Sequence, residues 1–293
     1  MDREISQDER QATQQDSGER NRESRELIQK PTTGGRDVAL SRERGGHFGP
    51  TYAYQISSAE LELMYDIGRF RTVAVGDLSA FRYGGDTAGM RDDLESLSAQ
   101  GLVQRRTTWT NGNKRGLGVV VLTKRGQEIL GREAKTPVGQ QIYSGFVKPG
   151  EVAHDAAIYR MFQAERRQIE KADGQVRRVV LDYELKQKVY SPLAKVKGLP
   201  TLEYARRQAE VAQANGLKVL EGRIPLPDLR IEYETAAGQI AKVDLELATH
   251  HYHGEHVSSK AQAGFKIYAA DGSASRLTAA LEERDIVVSI LSL

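Results

Sequence analysis

Residues 227–235, PDLRIEYET, and residues 240–249, IAKVDLELAT, decide the reading of the second half of the chain. Polar and apolar side chains alternate along both stretches, and residues two apart on a strand share a face. In the first stretch Leu229, Ile231 and Tyr233 make one face, and Asp228, Arg230, Glu232 and Glu234 the other. In the second, Val243, Leu245 and Leu247 oppose Asp244 and Glu246. A turn around Ala237-Gly238 joins them, so the pair reads as a hairpin with backbones about 4.8 Å apart. Asp228, Asp244 and Glu246 would then converge within reach of one cation. Like charges at that distance raise one another's pKa and destabilise the fold unless something neutralises them. Hard carboxylate oxygens suit Mg²⁺ or Mn²⁺. A plainer reading stays open, in which an open sheet simply shows its acids to solvent.

Outward from the hairpin, a helix is expected over 151–171, a strand in VRRVVLD (176–182), and helices in YELKQKVYSPLA (183–194) and TLEYARRQAEVAQANG (201–216). After the hairpin come helices at 258–270 and 274–284 and a terminal strand, DIVVSILSL (285–293). The loop HHYHGEH carries His250, His251, His253 and His256 directly after the acidic strand. Imidazoles at this density suit accessory acid–base or metal roles, although their spacing fits no zinc finger and no HExxH helix. A polar loop explains them equally well. His154 reads as a packed or capping residue.

The first half has a different rhythm. Ser57 or Ser58 caps a helix with Leu61, Met64, Tyr65 and Ile67 at helical spacing. A short helix, VGDLSAFRYG, ends at Gly84-Gly85, and Asp86 caps DTAGMRDDLESLSAQG. Strands LVQRRTTW and LGVVVLT follow, joined by TNGNKRG, whose Asn111-Gly112 pair suits a tight turn. KRGQEILGRE closes the unit as a further helix. Three helices and then a hairpin is the order of a winged helix-turn-helix. Arg105, Arg106, Lys114 and Arg115 on the wing would contact phosphates. The third helix carries Asp92, Asp93 and Glu95, so base contacts fall to Thr87, Arg91 and the wing. A winged helix used for protein contacts is the competing reading.

The chain has 293 residues, room for about two domains. Residues 1–50 are polar and charged and read as a disordered tail. Residues 51–134 form the winged helix, 135–150 a Gly-, Pro- and Thr-containing linker, and 151–293 the second domain. Net charge is only +2, so a nucleic-acid footprint must come from local clustering. Cysteine is absent, which excludes disulfides and thiolate metal sites. There is no signal-peptide pattern and no stretch of about 18 uncharged apolar residues. A cytoplasmic protein with no membrane partner is therefore expected.

Pro227-Asp228, a strand, a turn, DLE at 244–246 and a helix bearing Lys260 together resemble the PD-(D/E)xK nuclease superfamily. That resemblance implies a restriction-endonuclease-like αβββαβ domain, so the whole chain would be α+β in its first half and α/β in its second. It also implies a catalytic set of Asp228, Asp244, Glu246 and Lys260, with metal on the three acids. The superfamily lysine normally sits two residues after the acid, where this chain has Glu246 or Ala248; Lys260 would be a migrated lysine. Glu184, in Glu184-Leu185-Lys186, is an accessory carboxylate on the same view. MRDDLESLSAQGLVQRR resembles the third helix and first wing strand of winged-helix proteins. With DLELAT, SSKAQAGFKIY and EVAHDAAIYRMF, residues 57–293 resemble the replication-relaxation family of plasmids and integrative elements. The resemblance implies a double-stranded DNA partner and, beside it, replication or mobilisation proteins or a second copy of the chain. Three functions stay open: a DNA-binding protein that assists a mobile element, a Mg²⁺- or Mn²⁺-dependent endonuclease aimed by the winged helix, and a transcriptional repressor.

Overall fold

Ser57 starts the first long helix. Its hydroxyl accepts from the Glu60 N–H at 3.1 Å while the Glu60 carboxylate accepts from the Ser57 N–H at 2.7 Å. This reciprocal capping box launches α1 (Ser58–Gly68), which buries Leu63, Met64 and Ile67. The computed structural model describes residues 44–48, 53–109, 116–132, 136–248, 254–269, 274, 278 and 290–293. All of them belong to the unit Ala39–Leu293.

Before α1, β1 (Arg44–Phe48) pairs antiparallel with β2 (Ala53–Ser57). This corrects the reading of a structureless tail up to residue 50. A two-stranded ladder is held by backbone groups, and RGGHF offers no apolar alternation to announce it. The rest of that tail, residues 1–43 and 49–50, lies outside the described residues.

After α1 come β3 (Val73–Ala74), α2 (Val75–Phe81), α3 (Thr87–Ala99), β4 (Val103–Thr108), β5 (Leu117–Leu122) and α4 (Lys124–Arg132). The sheet order is β3-β5-β4, antiparallel throughout. The two-residue β3 is too short to leave a pattern in the sequence. Met90, Leu94 and Leu97 bury the inner face of α3, and Gly101, at φ 68°, lets the chain turn back into β4.

The segment expected to be a linker is anchored. The Gln140 amide donates to the Val179 carbonyl at 3.0 Å and accepts from the Val179 N–H at 2.9 Å. The Tyr143 N–H bonds the Gly68 carbonyl at 2.7 Å, and the Gly145 N–H bonds that of Leu122 at 2.8 Å. The segment thus satisfies backbone groups of both modules, Gly68 and Leu122 in the first and Val179 in the second, as buried polar groups require.

A 3₁₀ turn (Pro149–Glu151) leads into α5 (Val152–Lys171), then β6 (Gln175–Leu181), α6 (Asp182–Ala194), α7 (Thr201–Ala214), β7 (Leu229–Glu234), β8 (Ile240–Ala248), α8 (Gly254–Ala263), β9 (Lys266–Ala269) and β10 (Ile290–Ser292). The sheet order is β10-β9-β8-β7-β6. The pairs β6–β7 and β7–β8 are antiparallel, whereas β8–β9 and β9–β10 are parallel. The helix expected over 258–270 stops at Ala263. Gly264, at φ 92°, ends it, and Lys266–Ala269 pairs with β8 as a strand. The helix expected at 274–284 lies almost wholly outside the described residues.

Helices cover both faces of this sheet. Leu229, Ile231, Leu245 and Leu247 pack with Ile158, Tyr159 and Phe162 of α5. On the other face Val180 packs with Leu185 and Val189 of α6 and Val211 of α7. The first module shares the α5 side of the core: the Phe70 ring lies 5.1 Å from Tyr159 and 5.2 Å from Phe162. Burial of such rings contributes about 1.5–3 kcal/mol each. The architecture is mixed α and β, with one apolar core common to both halves.

Candidate functional site

The hairpin register sets the site. Leu229 faces Leu245 and Arg230 faces Asp244. Asp228, one residue before β7, therefore comes to the Glu246 end of β8, and its Oδ2 accepts from the Leu247 N–H at 2.9 Å. Glu246 is 1% exposed. Lys260, from α8, places Nζ 2.8 Å from Glu246 Oε1 and donates to the Leu226 carbonyl at 2.5 Å. The fold thus brings together three of the four residues expected to converge.

Asp244 is engaged elsewhere. Arg230 grips it with Nε to Oδ1 at 2.6 Å and Nη2 to Oδ2 at 2.9 Å, and Arg230 is itself 5% exposed. A buried guanidinium supplies the neutralisation that a metal was expected to supply. Glu184 likewise serves as a brace. It bonds Arg178 of β6 and sits 2.7 Å from Lys188. His250, His251 and His253 lie outside the described residues. Among the described residues, no three His, Asp or Glu side chains group as a metal-ligand set. The acids in place therefore do not by themselves fit a Mg²⁺ or Mn²⁺ centre.

Sequence reasoning undervalued the N-terminal ends of α5 and α6. His154 of α5 sets Nε2 3.5 Å from Asp228 Oδ2 and Nδ1 3.6 Å from Asp155 Oδ1. Burial works against its charge, but hydrogen bonds to Asp155 and Asp228 outweigh that and raise its pKa to about 10. Burial likewise pushes the Asp228 carboxyl up, while His154, the Leu247 N–H and Lys260 hold it below the usual carboxylate range. Arg71, between α1 and β3 of the first module, bonds Glu151 at 3.0 Å and lies 3.5 Å from Asp155. Lys186 pairs with Asp182 at 2.5 Å. Arg71, His154, Asp182, Lys186 and Asp228 line a cleft of about 280 Å³. The Glu-x-x-His spacing of residues 151–154 was the one visible signal of it.

No family model and no curated protein matches this chain. Three cations, Arg71, His154 and Lys186, face four acids at the cleft, a balance suited to a polar, charged ligand.

The expected DNA-facing residues lie on the first module. Thr87 opens α3, where the Asp86 side chain accepts from the Gly89 N–H at 2.9 Å. Thr87, Arg91, Arg105 and Arg106 are all exposed. The Arg106 guanidinium stacks 4.2 Å over the Phe146 ring, which fixes it on β4. Asp93 accepts from the Tyr83 hydroxyl at 2.8 Å, which ties α3 to the segment before it. Lys114 and Arg115, with the rest of the wing tip, lie outside the described residues. No helix among those described is long and apolar enough to cross a membrane.

Proposed function

We propose that the protein binds double-stranded DNA through its first module, acting as a winged helix-turn-helix. The observation that carries this reading is the strand order β3-β5-β4, with α3 leading through the Gly101 turn into a strand that exposes Arg105 and Arg106. A strand between the first two helices that pairs with the returning wing strand is the arrangement such a module requires. Phosphate contacts from these arginines supply most of the affinity. The role in replication, relaxation or mobilisation of a mobile element rests on the sequence resemblance of residues 57–293. Fluorescence anisotropy with labelled duplex DNA tests the reading. Binding is expected to weaken steeply with salt and to be lost in the R105E/R106E variant; binding unaffected by that charge reversal removes the module from the model.

A second reading, endonuclease activity, is favoured by the meeting of Asp228, Glu246 and Lys260. Here Lys260 and the protonated His154 would stabilise negative charge on a phosphate. Incubation with supercoiled plasmid, with and without Mg²⁺, decides it. Nicking that disappears in Lys260→Met while duplex binding persists supports it; intact plasmid under all conditions leaves DNA binding alone.

A further inference from the structure

A second concavity, about 490 Å³, lies between α6, α7 and the 220–225 turn. Tyr190 of α6 forms one wall with 53% of its surface exposed, and Tyr204 of α7 is half-buried beside it. The opposite wall is a tight turn in which Leu220 and Arg223 exchange backbone hydrogen bonds of 2.8 Å each. Its central residues, Glu221 and Gly222, have φ of 47° and 72°. A glutamate in the left-handed region is costly, and such strain persists where the surroundings hold it. The holder is Gln208, 8% exposed, whose amide donates to the Gly222 carbonyl at 2.9 Å. The turn presents Arg223, exposed and in no ion pair among the described residues. Lys260 lines the far end and reaches Glu246 at 2.8 Å, so the groove runs up to the acid–lysine group.

We propose that this groove binds an unpaired nucleic-acid strand, a reading that rests on the protein being a nucleic-acid binder. Stacking on a tyrosine ring needs a base whose face is free, which a duplex does not offer. Two phenol rings facing an exposed arginine across the groove, with Glu221 beside it on the turn, give the aromatic and cationic elements by which single strands are held. Bases stack on Tyr190 and Tyr204, Arg223 meets a phosphate, and the strand continues toward Lys260. The wing and the groove then bind two different parts of one substrate, duplex and unpaired strand.

The test uses the full chain, a fluorescein-labelled oligo(dT) of about 16 nucleotides and, separately, a labelled duplex. Wild type is expected to bind the oligo(dT). Tyr190→Ala and Arg223→Ala should each weaken that binding about ten-fold and leave duplex binding unchanged, while Tyr190→Phe keeps it. Thermal melting confirms that these surface variants are folded. Oligo(dT) binding that is absent in wild type, or as tight in both alanine variants as in wild type, overturns the proposal. So does equally tight binding of thymidine monophosphate, which makes the groove a mononucleotide pocket. Loss of duplex binding alone in R105E/R106E leaves the groove standing. Tyr190-dependent oligo(dT) binding with no duplex binding by wild type removes the winged-helix reading and keeps this one.

Discussion

Arg230 and Asp244 face each other across β7 and β8 and are joined by two hydrogen bonds, at 2.6 and 2.9 Å, with both side chains largely buried. The pair makes Asp244 a structural acid. Asp244→Ala strands a buried guanidinium and is expected to lower the unfolding free energy by about 3–5 kcal/mol, measured by urea denaturation. Replacing both partners with apolar residues should restore most of that loss. An Asp244→Ala protein of unchanged stability that no longer takes up Mg²⁺ in calorimetry would return Asp244 to a metal site.

Lys260 supports the fold as well as the candidate chemistry. Its ammonium meets a carboxylate that is 1% exposed. Lys260→Met should cost about 2–3 kcal/mol, and adding Glu246→Gln should recover part of it. Measured in urea, additive losses from the two substitutions would show that they do not act as a pair.

Salt dependence isolates the wing. Each phosphate contact contributes a slope of about 0.9 in the logarithm of affinity against the logarithm of salt concentration. R105A/R106A is expected to flatten the slope by about two such units. An unchanged slope with weaker binding would mean that the arginines act through folding, not through phosphates.

Acid should act on the first module through Asp66. Burial pushes this carboxyl up, but Arg69 and Arg82, the latter at 2.8 Å, pull it below its ordinary value. A depressed folded pKa gives stability that is complete above the unfolded value, about 3.9, and lost as pH falls through the folded one. Urea midpoints of wild type should therefore drop below about pH 4, and those of Asp66→Asn should start lower and fall less. Parallel curves for the two proteins would exclude Asp66 as the sensor.

Gly126 lies in α4, where alanine would ordinarily gain about 1 kcal/mol in helix propensity. Here an added Cβ would stand 2.3 Å from the Leu102 carbonyl oxygen. Backbone meets it, so the helix must shift. Gly126→Ala is expected to destabilise by about 1–3 kcal/mol net in thermal melting; a raised melting temperature would show that the helix moves freely.

Local periodicity alone determined much of this protein. The alternation in PDLRIEYE and VDLELA specified a hairpin with Leu229, Ile231, Leu245 and Leu247 facing inward, because period-two patterning leaves one register that buries every apolar side chain. Ser57, Asp86 and Gly101 marked helix ends through their own hydrogen bonding and backbone freedom. Facing strands also put Asp228 beside Glu246, and the helix after them carried Lys260. The sequence could not say that Arg230 and Glu246 on the polar face of the hairpin are buried, since that depends on segments packing over them from distant positions. Nor could it assign Asp244 to Arg230: once both are enclosed, a guanidinium across the ladder satisfies the carboxylate, whereas on an open sheet the acid stays in water. The docking of α5 on the first module was equally hidden. Phe70, Tyr159 and Phe162 meet across about 90 residues of chain, and only packing decides which distant apolar faces find each other.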